Sequence, residues 1–426
     1  MEKKKQKQWH KLDNTANLFP VIASRRVANV FRMEAVLKAP VEPALLQQAL
    51  EQTLPAFAAF SVRLRHGLFW SYLEQNDAPV HAGPSQEAPC RYIDPLETGR
   101  YLFRMLYFDN RIILETFHVL TDGTGAMRFL KAVCYRYCQL RWPGDFSPET
   151  RSVPYGVEQA GNVEDGYLKN YVPQKEKATY REPAACHIRG EQRLSFDLGV
   201  TTLLIPVEAL KGQCRKLDAS IGEYLTAAVM MAVYEEYLPV RGAKKPVSVF
   251  VPVDLRRIFG TDTSANFFSG MSIRQVFGPQ SIPFEQVLEE VKRQFAEKLT
   301  REAFAQKLAY TARSEVSLVT RVVPLPLKNG VLRLIYEHSN NGSTLTLSNL
   351  GPVSVEPMFA PYLEGFRFLL STTKREPVKC TAVAYGGTLA FTVTTQLEDQ
   401  ALARNVARRL SRAGVPVTVE SSEGEE

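Results

Sequence analysis

The stretch Arg111–Gly123, RIILETFHVLTDG, restricts the possible folds more than any other part of the sequence. Its apolar run Arg111–Phe117 predicts a buried strand, and a helix is expected to begin just after Gly123. His118 therefore stands at the end of a strand, and Asp122 follows one tight turn later, near a helix N-terminus. The exposed N–H groups and the dipole of such a terminus favour the anionic form of a carboxylate. This spacing suits an imidazole that acts as a general base and an aspartate that fixes its loop.

The first half of the chain predicts an alternation of strands, hairpins and helices. The predicted elements are a strand over Val27–Lys38, a helix with Pro43 in its first turn, a hairpin over Phe60–Glu74 that turns at His66–Gly67, a hairpin over Tyr101–His118 that turns at Asp109–Asn110, and a helix over Gly125–Trp142. Residues 9–20 are interpreted as a docking segment, because their apolar residues fall at helical spacing and Pro20 ends the run. The second hairpin delivers His118 at the end of its return strand.

The second half repeats the same mix of elements without a detectable sequence repeat. The predicted strands are Thr201–Pro206, Val247–Phe259 and one that ends in the turn Leu345–Pro352, the predicted helices are Val207–Leu217, Ser220–Tyr237, Phe284–Lys307 and Gln400–Ala413, and a hairpin covers Cys380–Thr395. Ser220 and Glu223 fit a capping box at the start of the longer helix. Long connections between the strands favour mixed sheets covered by helices, in an α/β fold with α+β layers.

The chain is long enough for two domains or for one large two-lobed domain. Of its 426 residues, 45% are hydrophobic and 23% are charged, as in an ordinary soluble protein. Residues 143–194 carry few apolar runs and much Pro, Gly, Lys and Glu, which predicts a linker. We therefore expect an N-terminal lobe of residues 1–180 and a C-terminal lobe of residues 181–426.

The charge and the cysteines bound the partners and the compartment. The formal net charge is +7, and part of it lies in a lysine run at the N-terminus that is interpreted as a solvated end, so no nucleic-acid partner is expected. No apolar run reaches the ~18 residues of a membrane helix, and no apolar signal segment follows the basic start. The six cysteines have no paired spacing. We expect a reduced, cytoplasmic protein without a membrane span.

The segment His118–Gly123 resembles the HHxxxDG motif of chloramphenicol acetyltransferase-like enzymes. These include condensation domains of nonribosomal peptide synthesis, polyketide-associated acyltransferases, wax ester synthases and alcohol acetyltransferases. Three further stretches are similar to these families in kind and in order: WHKLDNTANLFP at residues 9–20, which looks like the leading segment of bacterial alcohol acetyltransferase-like proteins; Pro252–Arg256 followed by Asn266–Phe268; and Ser348–Pro352. The resemblance covers nearly the whole chain, and it implies two lobes, each a mixed sheet covered by helices, with an active-site channel between them.

One position departs from the motif. Phe117 stands where the first histidine of the pair would be. The plant acyltransferases of the superfamily keep only HxxxD, so the base implied by the resemblance is retained in His118. The Asp-Phe-Gly-Trp-Gly motif of the plant branch is absent from the sequence, which argues against that branch.

The resemblance implies a role for each residue of the motif. His118 would be the general base, for which an ordinary pKa of about 6.5 is well suited. Asp122 would form a structural salt bridge with Arg256, or failing that with Arg257, and Gly123 would let the backbone pass close to the substrate. The alternatives are a buried core histidine, two unrelated surface charges and a simple turn at the start of a helix.

The oxyanion of a tetrahedral intermediate needs hydrogen-bond donors. By position in the family, Ser348 or Asn349 is the candidate, and backbone N–H groups near Gly123 are a rival. An ordinary turn before Gly351–Pro352 explains the same residues about as well.

The implied activity is acyl transfer from a thioester, acyl-CoA being the favoured donor, to an alcohol or amine by direct attack. Coenzyme A would act as co-substrate, and no metal or redox cofactor is implied. The sequence contains no P-loop, no dinucleotide fingerprint, no Gly-x-Ser-x-Gly elbow and no His/Cys cluster with metal spacing. Two alternatives stay open: a donor bound to an acyl or peptidyl carrier protein, and a scaffold that retains the fold without catalysis.

Overall fold

The computed structural model describes residues 9–13, 15–146, 163–173, 183–193, 197–238, 244–316, 323–339 and 341–421. The strands are β1 Trp9–Lys11, β2 Val30–Leu37, β3 Val62–His66, β4 Ser71–Gln75, β5 Ala82–Pro84, β6 Phe103–Phe108, β7 Arg111–Phe117, β8 Gly199–Pro206, β9 Val247–Asp254, β10 Phe268–Gln275, β11 Leu345–Pro352, β12 Leu363–Leu370, β13 Val378–Tyr385, β14 Thr388–Thr395 and β15 Thr418–Ser421. The helices are α1 Phe19–Ile22, α2 Pro43–Thr53, α3 Gly123–Arg141, α4 Gly166–Lys169, α5 Val207–Lys216, α6 Ile221–Tyr237, α7 Arg256–Phe259, α8 Phe284–Lys298, α9 Arg301–Val316, α10 Leu325–Ser339 and α11 Ala401–Arg412.

The N-terminal lobe is built on a five-stranded sheet of order β12-β2-β7-β6-β5. Its pairs are antiparallel, apart from the parallel pair of β5 and β6. Every residue of β2 is buried, as expected for a strand covered on both faces. Helix α3 packs on β2, β7 and α2, so its N-terminus is held directly beside the end of β7.

The C-terminal lobe is built on a seven-stranded sheet of order β10-β9-β11-β13-β14-β8-β15. It is also mixed, since β11 runs parallel to both β9 and β13 while the other pairs are antiparallel. The buried helix α6 packs against α8 and α11. It begins with the predicted capping box, in which the Ser220 side chain accepts the N–H of Glu223 and the Glu223 side chain accepts the N–H of Ser220.

One strand joins the two lobes. Strand β12 comes from the second half of the chain but pairs with β2 of the first. Side chains of the C-terminal sheet hold its other side, because the hydroxyls of Thr381 and Thr394 donate to the carbonyl oxygens of Phe368 and Leu370. The division of the chain at residue 180 stays a prediction. Strand β12 follows this residue in the sequence but belongs to the sheet of the first half. Half of the predicted linker, residues 147–162, 174–182 and 194, lies outside the described residues.

The turn predicted for the first hairpin is wrong. His66 pairs with Ser71, so a four-residue loop connects β3 and β4 instead of a two-residue turn at His66–Gly67. Tight two-residue turns need positive φ at a central residue. Asp109 provides it in the second hairpin, with φ of 47°, and there the predicted turn at Asp109–Asn110 is present.

Three further boundaries were predicted wrongly. Residues 9–20 are not one helical segment: β1 pairs with β4, and Pro20 lies in the first turn of α1, where a missing N–H costs nothing. The strand predicted over Val247–Phe259 ends at Asp254. The helix predicted over Phe284–Lys307 is two helices, because the hydroxyl of Thr300 accepts the N–H of Ala303 and caps a new helix. Among the described residues, every helix is too short or too polar to span a lipid bilayer.

Candidate active site

His118 follows the last residue of β7 and lies among aromatic side chains. Its ring stacks on Phe19 with a centroid distance of 4.7 Å and meets Phe31 and Phe268 at 5.1 and 5.3 Å. Burial lowers the pKa of His118 below its ordinary value of 6.5, although the charge of Asp122 opposes the shift. The imidazole is therefore neutral at pH 7, as a general base requires.

The Nδ1 atom of His118 lies 3.1 Å from Oδ1 of Asn266. Asn266 is fully buried, and its Nδ2 donates to Oδ2 of Asp13 at 3.0 Å and to the carbonyl oxygen of His118 at 3.1 Å. None of the described residues hydrogen-bonds to Nε2 of His118. The ring is thus anchored through one nitrogen, and the other is left for a reacting group.

Sequence reasoning interpreted Asn266 only as a structural amide at the end of a strand, and it gave Asp13 no role. Both lie in stretches that carry the resemblance, but nothing in the local pattern separates Asp13 from an exposed aspartate. The contact between the two residues spans 253 positions of the chain. Only an expectation that the leading segment meets the strand-end amide would have found it.

Asp122 caps helix α3 and meets the C-terminal lobe. Its Oδ1 accepts the N–H groups of Thr124 and Gly125, both at 3.2 Å. Its Oδ2 accepts the N–H of Phe267 at 2.9 Å. Burial acts to raise the pKa of Asp122, but Arg256 and these hydrogen bonds outweigh it and hold the pKa below the usual value. The carboxylate is a fixed charge with its oxygens occupied, and it is poorly placed to carry a proton.

The predicted ion pair between Asp122 and Arg256 is present and bidentate. Nη1 of Arg256 donates to Oδ2 of Asp122 at 2.8 Å, and Nη2 donates to Oδ1 at 3.1 Å. The remaining N–H groups of the guanidinium donate to Asp254, Ala265 and Thr263. Both side chains are nearly buried, at 6% and 7% exposed. The fallback partner, Arg257, is exposed.

Gly123 is the first residue of α3, and the absence of a side chain there brings the lobes together. A Cβ atom on Gly123 would lie 2.7 Å from Cδ2 of Leu350 on β11. The constraint on Gly125 is tighter and was not predicted: its Cβ would lie 2.0 Å from Oγ1 of Thr121 and 2.9 Å from the carbonyl oxygen of Ser264. Any side chain at Gly125 would push apart the two loops that meet around Asp122.

The two oxyanion candidates differ in their surroundings. Asn349 is exposed, and its Oδ1 accepts the N–H of Gly351 at 2.8 Å, which is the ordinary turn considered as the alternative. Ser348 is half-buried on β11, two residues before Leu350, which packs on Gly123. No described residue hydrogen-bonds to the hydroxyl of Ser348. Of the pair, Ser348 is the better placed to donate.

The rival backbone donors at the helix start are in part already used. The N–H groups of Thr124 and Gly125 donate to Asp122 and are not free for an oxyanion. Within the described residues, no group of three or more His, Cys, Asp or Glu side chains is arranged to hold a metal ion. The arrangement as a whole is a neutral histidine with one free nitrogen, fixed between two lobes by a buried ion pair and a buried amide.

Solved structures with the same fold span nearly the whole chain. TRI101 from Fusarium sporotrichioides, complexed with coenzyme A and T-2, has a TM-score of 0.62 at 11% sequence identity and covers 97% of this chain and 99% of its own. The first condensation domain of the CDA synthetase has a TM-score of 0.57 at 14% identity, with coverages of 96% and 99%. The wax ester synthase/diacylglycerol acyltransferase from Marinobacter aquaeolei VT8 has a TM-score of 0.57 at 15% identity, with coverages of 95% and 100%.

Sequence comparison adds nothing to this, since no protein-family model and no curated protein matches the chain. The chain therefore has the two-lobed α/β fold of condensation domains and chloramphenicol acetyltransferase-like structures, and the fold class predicted from the sequence is confirmed. At such low identity the likeness shows the fold alone.

Proposed function

We propose that the protein transfers an acyl group from a thioester to an alcohol or an amine, with His118 as general base. The observation that carries the proposal is the ring of His118, which is neutral at pH 7 and anchored at Nδ1, with no described hydrogen-bond partner at Nε2. A base of this kind is what attack on a thioester by a hydroxyl or amine requires.

The reaction would proceed in two steps without a covalent enzyme intermediate. As the oxygen or nitrogen of the acceptor bonds to the thioester carbonyl carbon, its proton passes to Nε2 of His118, and the carbonyl oxygen becomes an oxyanion. The oxyanion then returns its electron pair to the carbonyl, the C–S bond breaks, and the leaving thiolate takes the proton back from the imidazolium. The products are the acylated acceptor and a free thiol.

The residues around His118 would have supporting roles. Asp122 and Arg256 hold the loop that carries the histidine, and the pair takes no part in proton transfer. Ser348 is the proposed donor to the oxyanion, since it is half-buried on β11 two residues before Leu350, which packs on Gly123. Gly123 leaves space at the seam of the two lobes.

Acyl-CoA is the proposed donor. In the Fusarium protein the same fold was solved with coenzyme A bound, and the Marinobacter protein is by name an acyltransferase. The formal net charge of +7 is compatible with a phosphate-bearing donor. The fold is shared with a condensation domain, so an acyl group on a carrier protein is the second donor to test.

The test is release of free thiol from acyl-CoAs of several chain lengths, with mixed alcohol and amine acceptors. We expect acceptor-dependent release by the wild type, lowered about a hundredfold or more in His118→Ala. His66→Ala is the matched control, because His66 is exposed at the end of β3 and, among the described residues, its ring hydrogen-bonds only to Ser71; thiol release by this variant should equal that of the wild type.

Three outcomes decide the proposal. Release only from an acylated carrier protein would keep acyl transfer and replace the donor. Background release from acyl-CoA and carrier donors alike would overturn the proposal and favour a scaffold without catalysis. Equal activity of wild type and His118→Ala would overturn the role of His118.

A further inference from the structure

Asn266 lies between His118 and Asp13 and bonds to both. We infer that Asn266 is a positioning residue that holds His118 in the tautomer with its proton on Nδ1, and that Asp13 sets which way the Asn266 amide faces. The inference rests on the proposed function, in which Nε2 of His118 is the general base. The tautomer itself is a property of the protein and can be measured without any substrate.

The orientation of the amide follows from its partners. Nδ2 of Asn266 lies within hydrogen-bond distance of two acceptors, Oδ2 of Asp13 at 3.0 Å and the carbonyl oxygen of His118 at 3.1 Å. A reversed amide would set its oxygen against both acceptors and leave them without a donor, at the cost of burying unsatisfied groups. The amide oxygen must therefore face the imidazole.

Asp13 is fixed by bonds of its own. Its Oδ1 accepts the N–H of Ala16 at 2.7 Å, and its Oδ2 accepts the backbone N–H of Asn266 at 3.2 Å as well as the side-chain bond. The carboxylate is 6% exposed. It cannot turn away from the amide without breaking three hydrogen bonds.

The amide oxygen in turn fixes the proton on the ring. At 3.1 Å, an unprotonated Nδ1 would set its lone pair against a lone pair of Oδ1, whereas a protonated Nδ1 donates to it. A neutral imidazole with its hydrogen on Nδ1 carries its lone pair on Nε2. Phe19, Phe31 and Phe268 surround the ring and resist a flip that would exchange the nitrogens.

The first test is the nitrogen NMR spectrum of protein labelled with ¹⁵N-histidine, at a pH above 7 where His118 is neutral. The signals of His118 are identified among those of the six histidines by their loss in His118→Ala. We expect Nδ1 to carry the proton in the wild type. In Asn266→Leu, which has similar volume but no amide, the signals should shift toward the Nε2-protonated form. A wild-type spectrum with the proton on Nε2 would overturn the inference, and so would an unchanged spectrum in Asn266→Leu.

The second test uses kinetics with the donor and acceptor found active. Asn266→Leu should lower kcat at least about tenfold with little change in KM, because in most molecules of the variant the proton would lie on Nε2, which then has no lone pair to act as base. A kcat within twofold of the wild type in Asn266→Leu, or a change confined to KM, would overturn the inference.

The matched control is Thr121→Val. The hydroxyl of Thr121 donates to the carbonyl oxygen of Ser264 at 2.7 Å, so this variant breaks a buried bond between the same two loops without touching the ring. Its tautomer signals should match those of the wild type. A tautomer shift as large as that of Asn266→Leu would mean that any loosening of the loops suffices, and would overturn the specific role of Asn266. If the wild type shows no acyl transfer, the proposed function fails while the spectrum still decides the inference.

Discussion

Two aspartates of the N-terminal lobe reach the same loop of the C-terminal lobe, and they differ in one respect. Asp13 accepts the backbone N–H of Asn266 at 3.2 Å, and Asp122 accepts that of Phe267 at 2.9 Å. They are equally buried, at 6% and 5% exposed. Asp122 also faces Arg256, whereas Asp13 has no ion pair with any side chain that the structure describes.

The missing counter-charge changes the chemistry of Asp13. Burial raises the pKa of Asp13 to about 7, while the pKa of Asp122 stays below its ordinary value of 3.8 because Arg256 outweighs the same burial. A cavity of about 20 Å³ borders Asp13 and Asp165, with space for about one water molecule. The two aspartates are equally buried but behave differently. Asp122 stays charged because a guanidinium faces it, whereas Asp13 titrates near neutral pH because its hydrogen-bond partners are amide N–H groups.

The largest effect is expected from removing the guanidinium. Arg256→Leu leaves Asp122 buried without its cation and should lower the free energy of unfolding by about 3–5 kcal/mol. The measurement is urea unfolding followed by tryptophan fluorescence. Arg257→Leu is the control, because this neighbouring arginine is exposed, and it should change the free energy by less than about 0.5 kcal/mol. Equal effects of the two substitutions would show that the comparison between the aspartates does not depend on the ion pair.

A smaller effect is expected from the pH dependence of stability. Since the folded pKa of Asp13 is raised, the folded chain binds more protons there than the unfolded chain. The resulting stabilisation is fully present below the unfolded pKa of 3.8 and is lost as the pH rises through about 7. Between pH 8 and pH 5, the wild type should therefore gain about 2–3 kcal/mol of unfolding free energy relative to Asp13→Asn.

Asp122→Asn provides the contrast over the same pH range. The folded pKa of Asp122 is lowered, so its stabilisation is present above 3.8 and is lost only as the pH falls through the folded value. The difference in unfolding free energy between wild type and Asp122→Asn should be large but flat from pH 8 to pH 5. A flat difference for Asp13→Asn as well would remove the distinction between the two carboxylates.

How much of this arrangement the sequence could predict depends on how far apart in the sequence the contacting residues lie. Strand β7, the turn at Asp109 and the capping box of Ser220 follow from neighbouring residues, and the structure has all three. The pairing of β12 with β2 joins residues more than three hundred positions apart, and the local pattern of Leu363–Leu370 does not specify its partner.

The site divides in the same way. The spacing of His118 and Asp122 suggested a base and an anchor, but the partner Arg256 came from the family resemblance and not from the spacing. Asn266 was interpreted as a structural amide but its contact with the ring of His118 was not predicted. Asp13 was missed because its burial without a cation is a property of packing that leaves no mark in the nearby sequence.

The smallest effects test whether the contrast extends beyond the two aspartates. On the Asp122 side, the hydroxyl of Thr124 donates to Asp254, which is itself paired with Arg256, at 2.9 Å. On the Asp13 side, the hydroxyl of Thr15 donates to the neutral hydroxyl of Tyr167 at 2.7 Å. A hydrogen bond to a charged group contributes more than one to a neutral group. Thr124→Val should therefore cost about 1–2 kcal/mol of unfolding free energy and Thr15→Val about 0.5–1 kcal/mol. A larger loss of unfolding free energy for Thr15→Val than for Thr124→Val, measured by urea unfolding, would mean that the charges of the ion pair do not strengthen the neighbouring hydrogen bonds.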